Sequence, residues 1–228
     1  MVILLLIFGL LIAFAMFARA RVGVVYEDGS KQPLADGLTG GEAARKILEM
    51  AGVKDVQVVE RDSIHSDYYD LMKKKLILSE GSYRGRTAMS VGVAAHEAGH
   101  ALQHASEYTP LPMRMSAVRA TNILGGLFVV LPFLFAIPKW VPMKMGVMIM
   151  VIGWSGLLLF NLLTLSVEID ASVRSRRALQ KAGLIKKGSD TTLVNKVISA
   201  AALRDLGAIL ESPKYLLLSL LPFGGGRR

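Results

Sequence analysis

The sequence predicts a mainly α-helical, integral membrane protein with a small α+β region. The first observation is three long runs without a charged residue, at residues 2–18, 120–138 and 145–167. As helices they would measure roughly 25–35 Å, close to the hydrocarbon core of a bilayer. The second observation is a polar stretch between the first two runs, with helix-like and strand-like patterns. The third is the composition, which is 52% apolar with a mean hydropathy of +0.44 and so exceeds that of ordinary soluble domains.

The first apolar run is expected to be an uncleaved membrane anchor covering residues 1–21, although it is marginally short for a span. The alternative, a secretory signal peptide, normally has lysine or arginine before its apolar core and a small-x-small cleavage site after it. Here no basic residue precedes Val2, and Arg19 and Arg21 follow the run. This order favours an anchor whose N-terminus lies outside the cytoplasm.

Positive charge is concentrated near the ends of the apolar runs. The chain has 27 Lys and Arg against 18 Asp and Glu, a formal net charge of +9. Clusters lie at Arg114 and Arg119, and between Arg174 and Lys187. Such clusters are typical of the cytoplasmic side of a membrane protein, so we expect the lipid bilayer as a partner and no nucleic acid. Because the chain has no cysteine, it has neither disulfides nor a thiolate metal site.

The basic clusters predict a multi-pass protein of the plasma membrane. If the arginines after the anchor are cytoplasmic, those before the second apolar run are too, because no span separates them. Residues 111–168 would then form a transmembrane helical hairpin, with a kink at Pro132 and a short external turn over 137–144. The hairpin returns the chain to the side it started from. Residues 22–110 and 169–228 would therefore face the cytoplasm together.

The cytoplasmic region before the hairpin has the pattern of a small αββα unit. Thr39 and Glu42 form a capping box, which predicts the start of a helix. Alternation around 56–58 and the β-forming run Lys75–Ser79 predict two strands, with a loop over 61–70 between them. The second helix of the unit is the one that carries the chemistry described below.

After the hairpin, a basic linker leads to an amphipathic helix predicted over 190–211 and ended by Pro213. Its apolar residues recur at helical spacing: Leu193, Val194, Val197, Ile198, Ala201, Leu206, Ile209 and Leu210. Residues 215–223 are apolar but too short to span a bilayer as a straight helix, so we expect a docked or interfacial segment.

The chemistry is concentrated in VGVAAHEAGHALQHA, residues 91–105, which contains three of the four histidines. His96, Glu97 and His100 form an HExxH motif. Residues four apart on a helix share a face, so both imidazoles can reach one ion. Glu97 projects from the helix about 100° away from His96, so its carboxylate can contact a water molecule bound to that ion. The alternative is a chance match, because two of the five positions are free.

The surroundings of the motif favour a metal site over chance. The helix is expected to begin between Ser82 and Ser90 and to end near Ser106, with no proline inside it. Small residues would let another element approach closely: Ala94, Ala95, Ala98, Gly99 and Ala101. Zn²⁺ held by three protein groups keeps one coordination position open, and a water bound there has a pKa near 7. We therefore expect a zincin-like region that binds zinc, with Glu97 as the general base. Iron, manganese or cobalt accept the same ligand types.

A third ligand is required to complete such a site. His104 continues the four-residue spacing, but it lies roughly 12 Å along the helix from His96, whereas zinc–nitrogen bonds are about 2 Å. We therefore expect Glu168, at the cytoplasmic end of the third apolar run, to be the ligand. Asn161 and Thr164 precede it on one helix face, and a polar stripe entering a membrane normally faces protein or water. The alternative is that Glu168 pairs with an arginine of the following cluster.

Four pieces of the sequence together resemble the YugP-type membrane proteins, a family of neutral zinc metallopeptidases. In the family's order they are LTGGEAARKIL, KLILSEGSY, VGVAAHEAGHALQHA and VEIDAS. The resemblance implies zinc ligation by His96, His100 and Glu168, with Glu97 as the catalytic base.

The chain departs from that family's pattern in places. Asp170 stands where asparagine is frequent, so no essential role is expected for it. The loop reads Asp67-Tyr68-Tyr69-Asp70 where Asp-His-Tyr-Asp is frequent, with His65 two residues earlier. Ser172 occupies the position where glutamate-liganded zinc peptidases commonly have an aspartate, so the groups that orient the two imidazoles are unassigned.

Three functions follow as hypotheses. The first is an integral-membrane zinc endopeptidase that hydrolyses protein or peptide substrates, expected to be membrane-associated, at the cytoplasmic face. The second is an intramembrane protease, against which the charged residues around the motif argue: Glu80, Arg84, Arg86 and Glu107. The third is a non-catalytic, zinc-stabilised membrane scaffold, against which an open zinc position argues. The sequence indicates no oligomeric state.

For the endopeptidase hypothesis, two further roles can be predicted. The strand Lys75–Ser79 would lie at the edge of its sheet and pair with an extended substrate. Tyr83 or Tyr108 would stabilise the oxyanion.

Overall fold

The computed structural model describes residues 2–61, 67–136, 142–185 and 188–208. The described residues are mainly helical and include one small three-stranded sheet. Their elements are, in chain order, α1 Val2–Ser30, α2 Gly40–Met50, β1 Gln57–Arg61, β2 Tyr68–Asp70, β3 Lys75–Ser79, α3 Glu80–Arg84, α4 Ala88–Ala105, α5 Leu111–Ala136, α6 Met143–Leu163, α7 Leu165–Lys181 and α8 Ser189–Ala208. The expectation of a mainly helical protein with a small α+β part is confirmed.

The described chain divides into two compact units. The helical unit contains residues up to 20, residues 112–164 and residues from 204. The mixed unit contains Arg21–Leu111 and Leu165–Leu203. All strands belong to the mixed unit, and so does the helix that carries the HExxH motif.

The helical unit contains an antiparallel pair formed by α5 and α6. Trp154 donates its indole N–H to the carbonyl of Gly125 over 2.9 Å, and Asn161 donates to Thr121 Oγ1 over 2.6 Å. Buried side-chain hydrogen bonds of this kind hold apolar helices together where few other polar partners exist. Thr164, directly after α6, donates to the carbonyl of Asn161 and is also buried.

Among the described residues, two helices are long and apolar enough to cross a membrane, judged by length and composition alone. They are Leu6–Ser30, and Lys144–Lys181, which combines α6 and α7. The first carries several large apolar side chains that are well exposed: Leu6, Ile7, Leu10, Phe14, Met16, Phe17 and Val24. Residues 137–141 of the expected external turn lie outside the described residues, as do residues 209–228 with the expected interfacial segment.

The sheet of the mixed unit has the strand order β1-β3-β2. β3 pairs in parallel with β1 and antiparallel with β2. The expectation that Lys75–Ser79 is an edge strand is therefore wrong. The predicted loop over 61–70 is also wrong in part, because Tyr68–Asp70 forms β2; residues 62–66, including His65, lie outside the described residues.

The capping box that begins α2 is confirmed. Thr39 accepts a hydrogen bond from the Glu42 backbone, and the Glu42 carboxylate accepts one from the Thr39 backbone over 2.9 Å. The backbone N–H and the hydroxyl of Thr39 both donate to the Glu42 carboxylate and lower the pKa of Glu42 below its usual value. α2 then packs its alanine and isoleucine face against α4.

The helix α4 lies at the centre of the mixed unit. Every residue from Val91 to Ala101 is buried. Its alanines pack with α2 and the sheet, while Gly99 faces α7. A Cβ on Gly99 would lie 2.4 Å from the Ala171 carbonyl and from Ser175 Oγ, so only glycine permits this helix spacing. The close approach brings the motif against the first turns of α7.

Candidate metal centre

Three potential metal ligands meet between α4 and α7. His96 and His100 extend from one face of α4, four residues apart, and Glu168 lies in the first turn of α7. Glu168 Oε2 is 3.0 Å from His96 Nε2 and 3.4 Å from His100 Nε2. The centroids of the two imidazole rings are 5.0 Å apart, and the angle between the ring planes is 85°. Both ring nitrogens therefore face the same carboxylate oxygen.

These separations fit a tetrahedral ion. With metal–ligand bonds near 2 Å and tetrahedral angles, two ligand atoms lie about 3.4 Å apart. The observed 3.0 and 3.4 Å are within a few tenths of an ångström of that value. His100 Nε2 is fully buried and makes no hydrogen bond with any described residue. A buried nitrogen of this kind needs a partner, and a cation at the centre of the three groups would supply it.

The other nitrogen of His96 is held by α7 and α8. Ser172 Oγ lies 3.2 Å from His96 Nδ1 and also 3.2 Å from the carbonyl of Ile198. A carbonyl can only accept, so Ser172 donates to Ile198 and accepts from His96 Nδ1–H. The lone pair of His96 then lies on Nε2, which is the atom that faces Glu168.

Burial reinforces the neutral state of His96. Loss of hydration lowers the pKa of this imidazole below its usual value, and the Glu168 carboxylate opposes that effect only in part. A neutral imidazole is the form that binds a metal, so the surroundings favour the ligand state. Glu97 also acts on the pKa of His96 through its charge, and its side chain is fully buried.

The other nitrogen of His100 is held by a glutamine. His100 Nδ1 lies 2.9 Å from Gln103 Oε1. Gln103 is fully buried, and its amide nitrogen donates to the Val167 carbonyl and to Asp170, both over 2.8 Å. Gln103 was not among the site residues predicted from the sequence. Its signal was a polar residue one helical turn after His100 in a stretch of mostly small and apolar residues.

Comparison with known proteins places the chain in a family. The sequence profile of the family described as "Putative neutral zinc metallopeptidase" matches residues 2–223. The chain belongs to this metallopeptidase family. A relative from Bacillus subtilis (strain 168), named "Putative membrane protease YugP", is 35% identical over 216 residues, which cover 95% of this chain and 94% of the relative. No solved structure matches the chain. The predicted resemblance to this family is confirmed.

Other residues named as candidates in the sequence lie around the three potential metal ligands. His104 turns toward the sheet, where its Nδ1 lies 2.7 Å from the hydroxyl of Tyr69. Burial raises the pKa of Tyr69 to about 12, so the phenol stays protonated and forms a neutral hydrogen bond with His104, whose direction depends on the His104 tautomer. Asp170 contacts Gln103 and also accepts from Arg174 Nε over 2.6 Å.

The two tyrosines predicted to stabilise an oxyanion are held by arginines. The hydroxyl of Tyr83 accepts from Arg45 of α2 over 2.9 Å. The ring of Tyr108 lies under the Arg174 guanidinium, 5.5 Å from its carbon. No described contact brings either hydroxyl to the imidazoles, so the geometry gives no support to the predicted oxyanion role.

Proposed function

We propose that this protein is an integral-membrane zinc endopeptidase whose active site is formed by α4 and α7. The observation that carries the proposal is the convergence of His96 Nε2 and His100 Nε2 on one Glu168 oxygen inside a buried site. Membership of the metallopeptidase family supports the same conclusion. His96, His100 and Glu168 would hold Zn²⁺, with the fourth position left for water and substrate.

Glu97 is proposed as the proton carrier of the reaction. Zinc bound by three protein groups supplies a Lewis acid that activates water near neutral pH. Glu97 follows His96 directly on α4 and is not one of the three converging ligand groups, so we assign it the proton-transfer role. It would accept the proton of the attacking water and pass it to the nitrogen of the leaving amine. Ser172 and Gln103 keep the Nε2 atoms of the two histidines available throughout.

The membrane location is also part of the proposal. The candidate spans Leu6–Ser30 and Lys144–Lys181, and the relative's name, support a membrane protein. Three crossings, made by the anchor and by the two spans of the hairpin over residues 111–168, with the motif at the cytoplasmic face would agree with the basic clusters. The substrate would then be a protein or peptide presented near the inner leaflet.

An intramembrane protease is a second candidate, because Glu168 lies within the apolar helix Lys144–Lys181. Exposed charged side chains of the mixed unit favour a site outside the hydrocarbon core instead. They include Glu80, Arg84, Arg86 and Glu107, and each would be costly to place in lipid.

The variant Glu97→Gln tests the proposed chemistry. It should keep one zinc per chain and lose about 10²–10⁴-fold in the rate of casein cleavage in detergent, because the amide cannot accept a proton. Glu107→Gln is the matched control: it changes an exposed glutamate just beyond α4 and should cleave normally.

Retained proteolysis in Glu97→Gln would contradict the mechanism. Complementation of a deletion strain by that variant, without proteolysis, would support the zinc-stabilised scaffold instead.

A further inference from the structure

Gln103 uses all of its hydrogen-bonding groups to join two helices. Its oxygen lies 2.9 Å from His100 Nδ1, and its nitrogen donates two bonds, to Val167 O and to Asp170 Oδ2. The side chain is fully buried, where an unsatisfied amide group would cost free energy. No other arrangement of this amide satisfies the same three neighbours.

The neighbours fix which way the amide points. The Val167 carbonyl can accept hydrogen bonds but cannot donate them, and the Asp170 carboxylate accepts in its ionised form. The NH₂ group must therefore face α7, and the oxygen must face His100. His100 Nδ1 then carries the hydrogen, which leaves the lone pair on Nε2. The amide thus selects the ligand tautomer of the second histidine.

The same contacts relate His100 to the third candidate ligand. Val167 and Asp170 lie on either side of Glu168 in the first turns of α7. Asp170 is in turn held by Arg174, whose guanidinium also donates to Ser106 Oγ over 2.8 Å. Ser106 is the C-cap of α4. The contacts therefore run from α4 to α7 and back to the end of α4.

We propose that Gln103 is a positioning residue of the metal centre, and that Asp170 and Arg174 hold it in place. Gln103 sets the tautomer and ring direction of His100 and ties that ring to the turn of α7 that carries Glu168. The inference rests on the proposed zinc site. Partners of metal-bound histidines typically change metal affinity 10–100-fold, and we expect an effect of this size from Gln103.

The first test replaces the amide with an apolar chain of similar length, Gln103→Met. Its zinc dissociation constant, measured by competition with a chelator, should rise about 10–100-fold. In the metal-free protein, the ¹⁵N signals of His100 should change from the Nδ1–H tautomer to a mixture. Gln180→Met is the matched control, since Gln180 is an exposed glutamine of α7, and it should change neither quantity.

The second test uses a residue that is less buried, in case Gln103→Met does not fold. Asp170→Leu removes one of the two acceptors for the Gln103 amide, whereas Asp170→Asn retains an acceptor oxygen. Because one hydrogen bond is lost, zinc binding should weaken about threefold to tenfold in Asp170→Leu and clearly less in Asp170→Asn.

Wild-type zinc affinity and an unchanged His100 tautomer in folded Gln103→Met would overturn the inference. If that variant is unfolded, equal zinc affinity in Asp170→Leu and Asp170→Asn would overturn it instead. If the wild-type protein binds one zinc ion, either of these results would leave the proposed function intact. A wild-type protein that binds no zinc would contradict the proposed function itself.

Discussion

A single serine hydroxyl holds the imidazole of His96 between two elements of the mixed unit. Ser172 accepts from His96 Nδ1 and donates to Ile198 of α8. Because the oxygen is buried, no bulk water can replace it when it is removed. Its loss would leave the buried His96 Nδ1–H without this acceptor, which should release the direction of the ring and also lower the free energy of unfolding by about 1–3 kcal/mol.

The prediction at this position compares two buried serines of α7. Ser172→Ala should weaken zinc binding about threefold to tenfold, since His96 loses one neutral hydrogen bond. Ser175→Ala removes a hydroxyl that bonds only to the Ala171 carbonyl among the contacts described, and its zinc affinity should stay within twofold of wild type. Chelator competition measures both. Equal affinities in the two variants would show that Ser172 does not orient His96.

The site residues differ in how far the sequence could predict them. The four-residue spacing of His96 and His100 suffices to put two imidazoles on one face, because helix geometry is local. Glu168 could be predicted only from the topology, in which the hairpin brings the chain back to the side of the membrane where the motif lies. The structure does bring Glu168 to the two imidazoles. Gln103 could not be assigned, because its role depends on which atoms of α7 face it.

At the scale of elements, the spacing between α4 and α7 depends on Gly99. The added methyl of Gly99→Ala would collide with the backbone of α7 at the Ala171 carbonyl. The helices must then separate, which moves His100 away from Glu168. We expect a loss of about 1–3 kcal/mol in the free energy of unfolding, together with weaker zinc binding.

The control for this prediction is Gly81→Ala in α3, where a Cβ would meet nothing within 4 Å. Chemical denaturation and zinc titration of the two variants give the comparison. Normal stability and normal zinc affinity in Gly99→Ala would mean that the close approach of α4 to α7 is not required.

The strands show why the sheet was harder to predict than the helices. Leu76, Ile77 and Leu78 of β3 are consecutive and all buried, which is the pattern of a strand covered on both sides and flanked by neighbours. That pattern contradicts an edge position and was available in the sequence. β2 has only three residues, too few for an alternating pattern to be recognised.

At the scale of the whole molecule, the orientation in the membrane stays a prediction. The basic clusters predict that the mixed unit is cytoplasmic and that the turn before α6 is external. The chain has no cysteine, so a single introduced cysteine gives an unambiguous signal. The exposed residues Glu80 and Lys144 report on the two sides.

Labelling with a membrane-impermeant maleimide tests this orientation. Lys144→Cys should react in intact cells, and Glu80→Cys should react only in inside-out vesicles. The reverse pattern would invert the topology. If Glu80→Cys reacts on neither side but becomes reactive in detergent, its surroundings are within the bilayer, as the intramembrane alternative requires.

The central claim is that His96, His100 and Glu168 together hold one metal ion. Metal analysis by mass spectrometry of purified wild type, Glu168→Ala and His104→Asn tests it most directly. His104 is the matched control, because it continues the spacing of the motif but bonds to Tyr69 instead. We predict one zinc per chain in wild type and His104→Asn, and less than a tenth of that in Glu168→Ala after dialysis. Full zinc occupancy in Glu168→Ala, or loss of zinc from His104→Asn, would contradict the assigned ligands.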